Sequence, residues 1–322
     1  MRAMVIRQFG PPDVLQPAEV ADISAPPGGV VIDVEVGGVT FVETQIRAGK
    51  APRREMLPAL PAILGNGVGG TVTAVGAGVE AGLIGRRVVT SLNGTGGYAQ
   101  RAAASAAHLV DVPAGVPLPA AVALLADGRT ALSLVDRAQL AAGDTVLIEA
   151  AAGGVGTLLV QLARNAGARV VALASQERKL AVASDLGADV AVDYSRADWP
   201  DRVRDAVGTV DVVFDGVGGA IGLAAFELLG PGGRFCPFGM ASGSFAPVTP
   251  QLVQQRQVTV SQGAAVSPAD GVAWQRAALE EAAAGRIRPV IGQHLELDRV
   301  ADAHAAIEAR TTIGKTLLTV TS

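Results

Sequence analysis

Thr145-Val146-Leu147-Ile148-Glu149 runs as a short apolar segment into Ala150-Ala151-Ala152-Gly153-Gly154-Val155-Gly156, and apolar residues then recur at Val155, Leu159, Leu162, Ala163 and Ala166. The first part has strand character and the last part helical spacing, with a glycine turn between them. In this arrangement backbone N–H groups and the helix dipole can receive a pyrophosphate, and glycines let the phosphates come close. Ala151 holds the first glycine place of G-x-G-x-x-G, so the turn fits a dinucleotide site and also fits a helix packed tightly on its strand.

Downstream, Arg169–Ala174 reads as the next strand, Glu177–Leu186 as a helix, Asp189–Val192 and Val210–Asp215 as strands, and Gly233–Pro237 as a fifth strand. Near-continuous apolar strands alternating with helices imply a parallel sheet covered on both faces. The second strand ends Leu173-Ala174-Ser175 and is followed by Gln176-Glu177-Arg178-Lys179. An acid at that tip would accept from the adenosine ribose 2′-OH and favour NAD. A hydroxyl with two cations nearby would instead receive a 2′-phosphate, which favours NADPH. Arg178 and Lys179 also suit the solvated first turn of a helix. The chain holds only three lysines, Lys50, Lys179 and Lys315, so a lysine here is informative.

Upstream the texture is different. Short strands (Met4–Gln8, Val30–Val39, Gly69–Val75, Arg87–Ser91, Gly97–Ala102) separated by Gly and Pro suit a small twisted barrel or sandwich. Leu118–Leu134 reads as two helical segments. In the tail, Trp274–Ala284 and Val300–Ala309 read as amphipathic helices and Lys315–Val320 as a strand, and this tail is expected to fold back onto the N-terminal domain.

Composition sets the outer limits. With 322 residues, 49% hydrophobic and 17% charged, the chain is long enough for two packed domains and is not a disordered polymer. A single cysteine, Cys236, excludes a disulfide scaffold. A net charge of -4 and a pI near 5.5 offer no basic field for nucleic acid or an anionic membrane. The mean hydropathy is +0.37, yet each long apolar stretch is broken short of the roughly 18 residues that a span requires. The N-terminal residues carry no export signal, so the expectation is a soluble, cytoplasmic protein without membrane or nucleic-acid partners.

Taken together, these features resemble the zinc-independent quinone oxidoreductase branch of the medium-chain dehydrogenase/reductase superfamily over essentially the whole chain. Gly38-Val39-Thr40-Phe41-Val42-Glu43-Thr44-Gln45-Ile46-Arg47-Ala48-Gly49 is similar to the family's GVNFxDxxxRxG stretch. The matches continue through Leu64–Gly70, the glycine turn, Lys179-Leu180, Leu186–Asp189, Val213-Phe214-Asp215-Gly216-Val217-Gly218-Gly219 and Gly314-Lys315.

The resemblance implies an α/β chain. A GroES-like β-rich domain over 1–122 would be completed by 266–322, and a Rossmann doubly wound parallel-sheet domain would occupy 123–265. It implies NADPH in the cleft between domains and a homodimer formed through the edge of the Rossmann sheet. Around the cofactor it implies the turn from Ala152 through Gly153, Gly154, Val155 and Gly156. It places Ser175, Lys179 and Tyr194 at the adenosine ribose and 2′-phosphate, beside Arg178, with Lys315 closing over the same phosphate. Thr130, Val217, Phe238 and Gly239 match regions near the nicotinamide or its ribose.

Two departures refine the expectation. Where zinc relatives carry metal ligands, this chain reads Gly38-Val39-Thr40-Phe41 and Gly65-Asn66-Gly67, so no metal is expected. Where many quinone reductases have Asn and Tyr facing substrate, it has Thr40 and Gln45. These two could hold an acceptor carbonyl or serve the loop. Asp127 could orient the acceptor or relay a proton, or cap a following helix. Hydride can pass directly from nicotinamide to a quinone or an electron-poor alkene held against it, with solvent as the proton source. Tyr98 is accordingly expected to pack or bond within the barrel, His108, His294 and His304 to be satisfied surface or core histidines, and Cys236 to be a buried apolar residue. The readings left open are a quinone reductase, an enoyl or enone reductase, and a non-catalytic NADPH-binding protein.

Overall fold

The computed structural model describes residues 1–261 and 268–320. The chain forms two compact units: Met1–Arg129 with Pro268–Gly285 and Pro289–Ser322, and Thr130–Ser267 with Arg286–Arg288. Residues 262–267 and 321–322 lie outside the described residues, and with them the expected domain border at 265/266 and the last residues of the tail.

In the second unit six strands pair in the spatial order Val190–Asp193, Arg169–Ala174, Thr145–Ile148, Val210–Asp215, Leu229–Pro237, Thr259–Val260, and every pairing is parallel. The chain runs outward from the central strand in one direction, then returns to the centre and runs out in the other. The reversal falls between Thr145–Ile148 and Val210–Asp215, where this doubly wound topology opens a crevice at the carboxyl ends of the strands. Helices on both faces explain the unbroken apolar strands: Arg169–Ala174 is buried from its second residue onward. Leu147, Val171, Val213, Phe226 and Phe235 fill the core, with the two phenyl rings edge to face at 5.3 Å.

In the first unit the eleven-residue strand Gly29–Val39 is the organising element. It pairs with Gly67–Val75, Arg101–Ser105 and the C-terminal strand Lys315–Thr319, all antiparallel. Two register shifts bend it, as bulges bend the strands of small barrels. Gly70 allows the closest approach: a Cβ there would stand 1.9 Å from the Asp33 carbonyl oxygen.

Leu118–Ala138 is one continuous helix of 21 residues, a correction to the two segments read from sequence. Gly128 does not break it. That residue lets the helix approach Pro268–Ala283, where an added Cβ would lie 2.7 Å from the Ala278 Cβ. Among the described residues it is the helix long and apolar enough to cross a membrane, a length missed when apolar runs were read singly. As in a core helix, 61% of its most apolar window is buried inside the protein.

Candidate active site

At the carboxyl edge of the parallel sheet the glycine turn is held from both sides. Glu149 N donates to the Phe214 carbonyl and Ala151 N to the Leu173 carbonyl, each at 3.0 Å. Gly153 is the N-cap of helix Gly154–Asn165, and the first helical bond runs from Thr157 N to the Gly153 carbonyl at 2.9 Å. The amides of Gly154, Val155 and Gly156 therefore precede the intrahelical ladder and have no partner within it. Ala152 is buried just before them.

The neighbouring strand ends at Ala174, followed by Ser175, and the helix from Glu177 carries Arg178 and Lys179 in its first turn. Arg178 Nε donates to Gln176 Oε1 at 3.0 Å. Parallel register sets Ala174 opposite Asp193, and Tyr194 N donates to the Ala174 carbonyl at 3.1 Å, so Tyr194 and Ser175 leave adjacent strands side by side. Asp193, opposite Ala174, is occupied by the Ser195 amide and hydroxyl. Across the reversal point Phe238 N and Gly239 N both donate to the Asp215 carbonyl, which lays the Phe238–Gly239 loop against Gly216 and Val217. Thr130 lies in helix Leu118–Ala138, where its carbonyl accepts from the Ser133 hydroxyl.

Reading the sequence missed two buried carboxylates at this edge. Glu149 directly follows one central strand and Asp215 ends the other, both fully buried. The Val217 amide donates to Glu149 Oε2 and Asp215 Oδ1, each at 3.0 Å, and Gly218 N donates to Asp215 Oδ1 at 2.6 Å. Burial, followed by the hydrogen bond and charge of Asp215, pushes Glu149 well above the usual carboxylate range. The available signal was an acid closing an apolar strand at each side of the crevice.

In the first unit the substrate-facing candidates separate. Thr40 N-caps helix Phe41–Arg47, and both its amide (2.5 Å) and its hydroxyl (2.9 Å) donate to Glu43 Oε2. Glu43 Oε1 accepts from Asn66 N at 2.6 Å. Asn66 Oδ1 in turn accepts from Leu92 N and Gly94 N, so it clamps a loop. Burial raises the Glu43 pKa, opposed by these bonds and by the Lys315 ammonium. Gln45 projects elsewhere on the helix, with its amide donating to the Thr44 hydroxyl.

Lys315, expected at the adenosine 2′-phosphate, is buried here on its strand, and its Nζ lies 3.2 Å from Asp127 Oδ1 with the two side chains 5% and 13% exposed. Its ammonium is thus paired with Asp127 and acts electrostatically on Glu43. Asp127 is likewise interior to its helix and does not cap it. Thr40, Glu43, Asp127 and Lys315 thus form one polar cluster, with Gln45 outside it.

Four further titratable side chains are buried, Tyr98, His304, Cys236 and Arg47. Tyr98 and His304 are fully buried, with Tyr98 Oη and His304 Nε2 3.0 Å apart. Burial lowers His304 to about 3 and raises Tyr98 well above its usual value. Cys236 is buried, with its thiol pushed up to about 11. Arg47, also missed as a structural residue, is buried beneath the Gly10 carbonyl and paired with Glu308.

Residues 26–114 match the alcohol dehydrogenase GroES-like domain and residues 154–281 the zinc-binding dehydrogenase domain. The chain is 32% identical to bovine quinone oxidoreductase-like protein 2 over 99% of its own length and 92% of that protein. It is 35% identical to a 2-haloacrylate reductase of a Burkholderia species over 76% of this chain and 75% of that one. Among solved structures, a mycobacterial protein complexed with NADPH superposes with TM-score 0.89 at 34% identity, covering 99% of this chain and 100% of the other. Escherichia coli quinone oxidoreductase complexed with NADPH gives 0.90 at 26% identity, with 99% and 100% covered. A two-unit oxidoreductase with a doubly wound sheet and a GroES-like partner is a medium-chain dehydrogenase/reductase, and the chain belongs to the zinc-independent quinone oxidoreductase branch of that superfamily.

The zinc named in the second domain description does not fit these residues. Among the described residues no three His, Cys, Asp or Glu side chains gather as a ligand set. Asn66 Oδ1, in the stretch Gly65-Asn66-Gly67, and Glu43 Oε1 already accept backbone N–H groups.

Proposed function

We propose that the chain reduces a quinone at the expense of NADPH. The observation that carries this reading is one sheet edge on which free helix-turn amides lie beside Ser175, Arg178, Lys179 and Tyr194, with no carboxylate at the tip of Arg169–Ala174. Ala152–Gly156 receive the pyrophosphate, and Ser175, Arg178, Lys179 and Tyr194 the adenosine ribose and its phosphate. Val217, Phe238, Gly239 and Thr130 lie toward the nicotinamide end. When bound, NADPH supplies a hydride from nicotinamide C4. The remaining task of the chain is to bind and orient the acceptor, with Gln45 donating to a carbonyl. Thr40 and Asp127 act less directly, because Glu43 holds the Thr40 hydroxyl and Lys315 holds the Asp127 carboxylate. The accompanying proton comes from solvent, since Tyr98 and His304 are committed to each other in the core.

A second reading, reduction of an electron-poor alkene, is favoured by the likeness to a 2-haloacrylate reductase and by Thr40 and Gln45 standing in place of Asn and Tyr. NADPH oxidation with benzo-, naphtho- and phenanthrenequinones, beside enoyl thioesters, small enones and 2-haloacrylates, separates the two. Turnover restricted to the alkenes overturns the quinone assignment. The same proposal includes a soluble cytoplasmic homodimer joined at the sheet edge near Thr259–Val260, which size exclusion with light scattering tests.

A further inference from the structure

We propose that Glu149 and Asp215 form a proton-sharing latch that positions the Val217–Gly219 loop for the cofactor. This rests on the NADPH reading above. The two carboxylates close the two central strands on either side of the sheet's reversal point, and together they accept the amides of Val217 and Gly218. Glu149 Oε1 and Asp215 Oδ2 are buried without a donor when both groups are written as anions. Two unprotonated carboxylates at this depth would repel and leave both oxygens unsatisfied. One proton on Glu149, donated to Asp215, removes the repulsion and supplies the missing donor, and burial favours that protonated form.

The surroundings offer nothing else to balance a second charge. The glycine turn Ala150–Gly156, helix Gly219–Phe226 and the loop Phe238–Ala246 contain no titratable side chain. Arg169 stands at the opposite end of its strand and Arg164 at the far end of helix Gly154–Asn165. Asp215 is the charged group acting on Glu149. Backbone geometry makes the loop sensitive to the latch. Gly218 has φ +71°, and an added Cβ there would lie 2.1 Å from the Ser244 carbonyl oxygen; Gly222 packs against the Asp215 carboxylate. Loss of the proton sets the carboxylates apart, and the amides they hold move with them.

The test measures NADPH affinity by fluorescence titration and amide exchange of the cofactor-free protein, both across neutral to alkaline pH. Wild type loses NADPH affinity and protection at Val217 and Gly218 as pH rises. Glu149→Gln keeps an acceptor for Val217 and a permanent donor for Asp215, so both profiles flatten. Glu149→Leu removes both and binds NADPH about tenfold more weakly at every pH, the equivalent of one hydrogen bond to a charged group. A Glu149→Gln profile that falls in parallel with wild type overturns the latch. If wild type binds no NADPH at all, the cofactor reading fails, and the exchange profiles of the free protein still decide whether Glu149 holds the loop.

Discussion

Removing either end of the Lys315–Asp127 pair should be costly, and unequally so. At 3.2 Å, two unit charges attract by about 5 kcal/mol at an effective dielectric of ~20, and desolvation of both ends consumes much of that. Net stabilisation by the intact pair is therefore small, whereas stranding one partner costs on the order of 3–5 kcal/mol. Asp127→Asn should fall at or below the low end, because an amide oxygen still accepts from Lys315 and the Glu43 charge remains nearby. Lys315→Met should reach the high end, because it strands Asp127 and leaves Glu43 without its cation. Replacing both, as Asp127→Leu with Lys315→Met, should cost less than the sum of the separate changes by at least about 1.5 kcal/mol.

Urea unfolding followed by tryptophan fluorescence measures this, with Trp274 in the first unit and Trp199 in the second. In Lys315→Met, Glu43 rises further. Its native form then holds a proton that the unfolded chain releases, so stability falls as pH climbs from the ordinary carboxylate range toward the raised native value. Additive single effects, within about 0.5 kcal/mol, would refute the coupling. A selective loss of NADPH over NADH in Lys315→Met would support the 2′-phosphate contact that the family resemblance implies for this residue.

Lys179→Ala should weaken NADPH by about 10- to 100-fold and leave NADH nearly unchanged, since one charge-assisted contact to the 2′-phosphate is removed; equal losses in isothermal titration would refute the assignment. Gly156→Ala should destabilise by about 1–3 kcal/mol, because a Cβ would stand 2.3 Å from the Ala150 carbonyl oxygen and 2.8 Å from the Ala151 Cα, neither of which can rotate away; an unchanged unfolding curve would count against the turn geometry. His304 titrates at about 3 in the native protein, against about 6.5 when unfolded. The unfolded chain therefore binds the extra proton first, and stability should drop by several kcal/mol as pH falls from ~6.5 toward ~3. His304→Gln should flatten that limb in acid-unfolding curves.

The second unit was largely legible because its signals are local. Val210–Asp215 and Arg169–Ala174 were read with the limits they have in the structure, since an apolar strand bounded by turns carries its own ends. Helix Pro250–Arg256 and strand Thr259–Val260 were not read, being short and without strong periodicity. Leu118–Leu134 was read as two segments, whereas the structure has one helix, Leu118–Ala138, whose Gly128 approaches Ala278, 150 residues away in the chain.

The order of turn, strand tip and cations along the chain was by itself enough to determine the parallel α/β class, the glycine turn and the lack of a carboxylate at Ser175. Those depend on neighbours a few residues apart, where spacing dictates which face or terminus a side chain occupies. Tertiary structure alone decided what the charged residues do. Lys315 meets Asp127 only because the last strand pairs with Gly29–Val39. Glu149 and Asp215 meet only because parallel pairing sets two distant strands side by side. Whether a carboxylate or an ammonium reaches solvent, a partner or neither depends on strand register and burial, which charge and spacing along a chain do not encode.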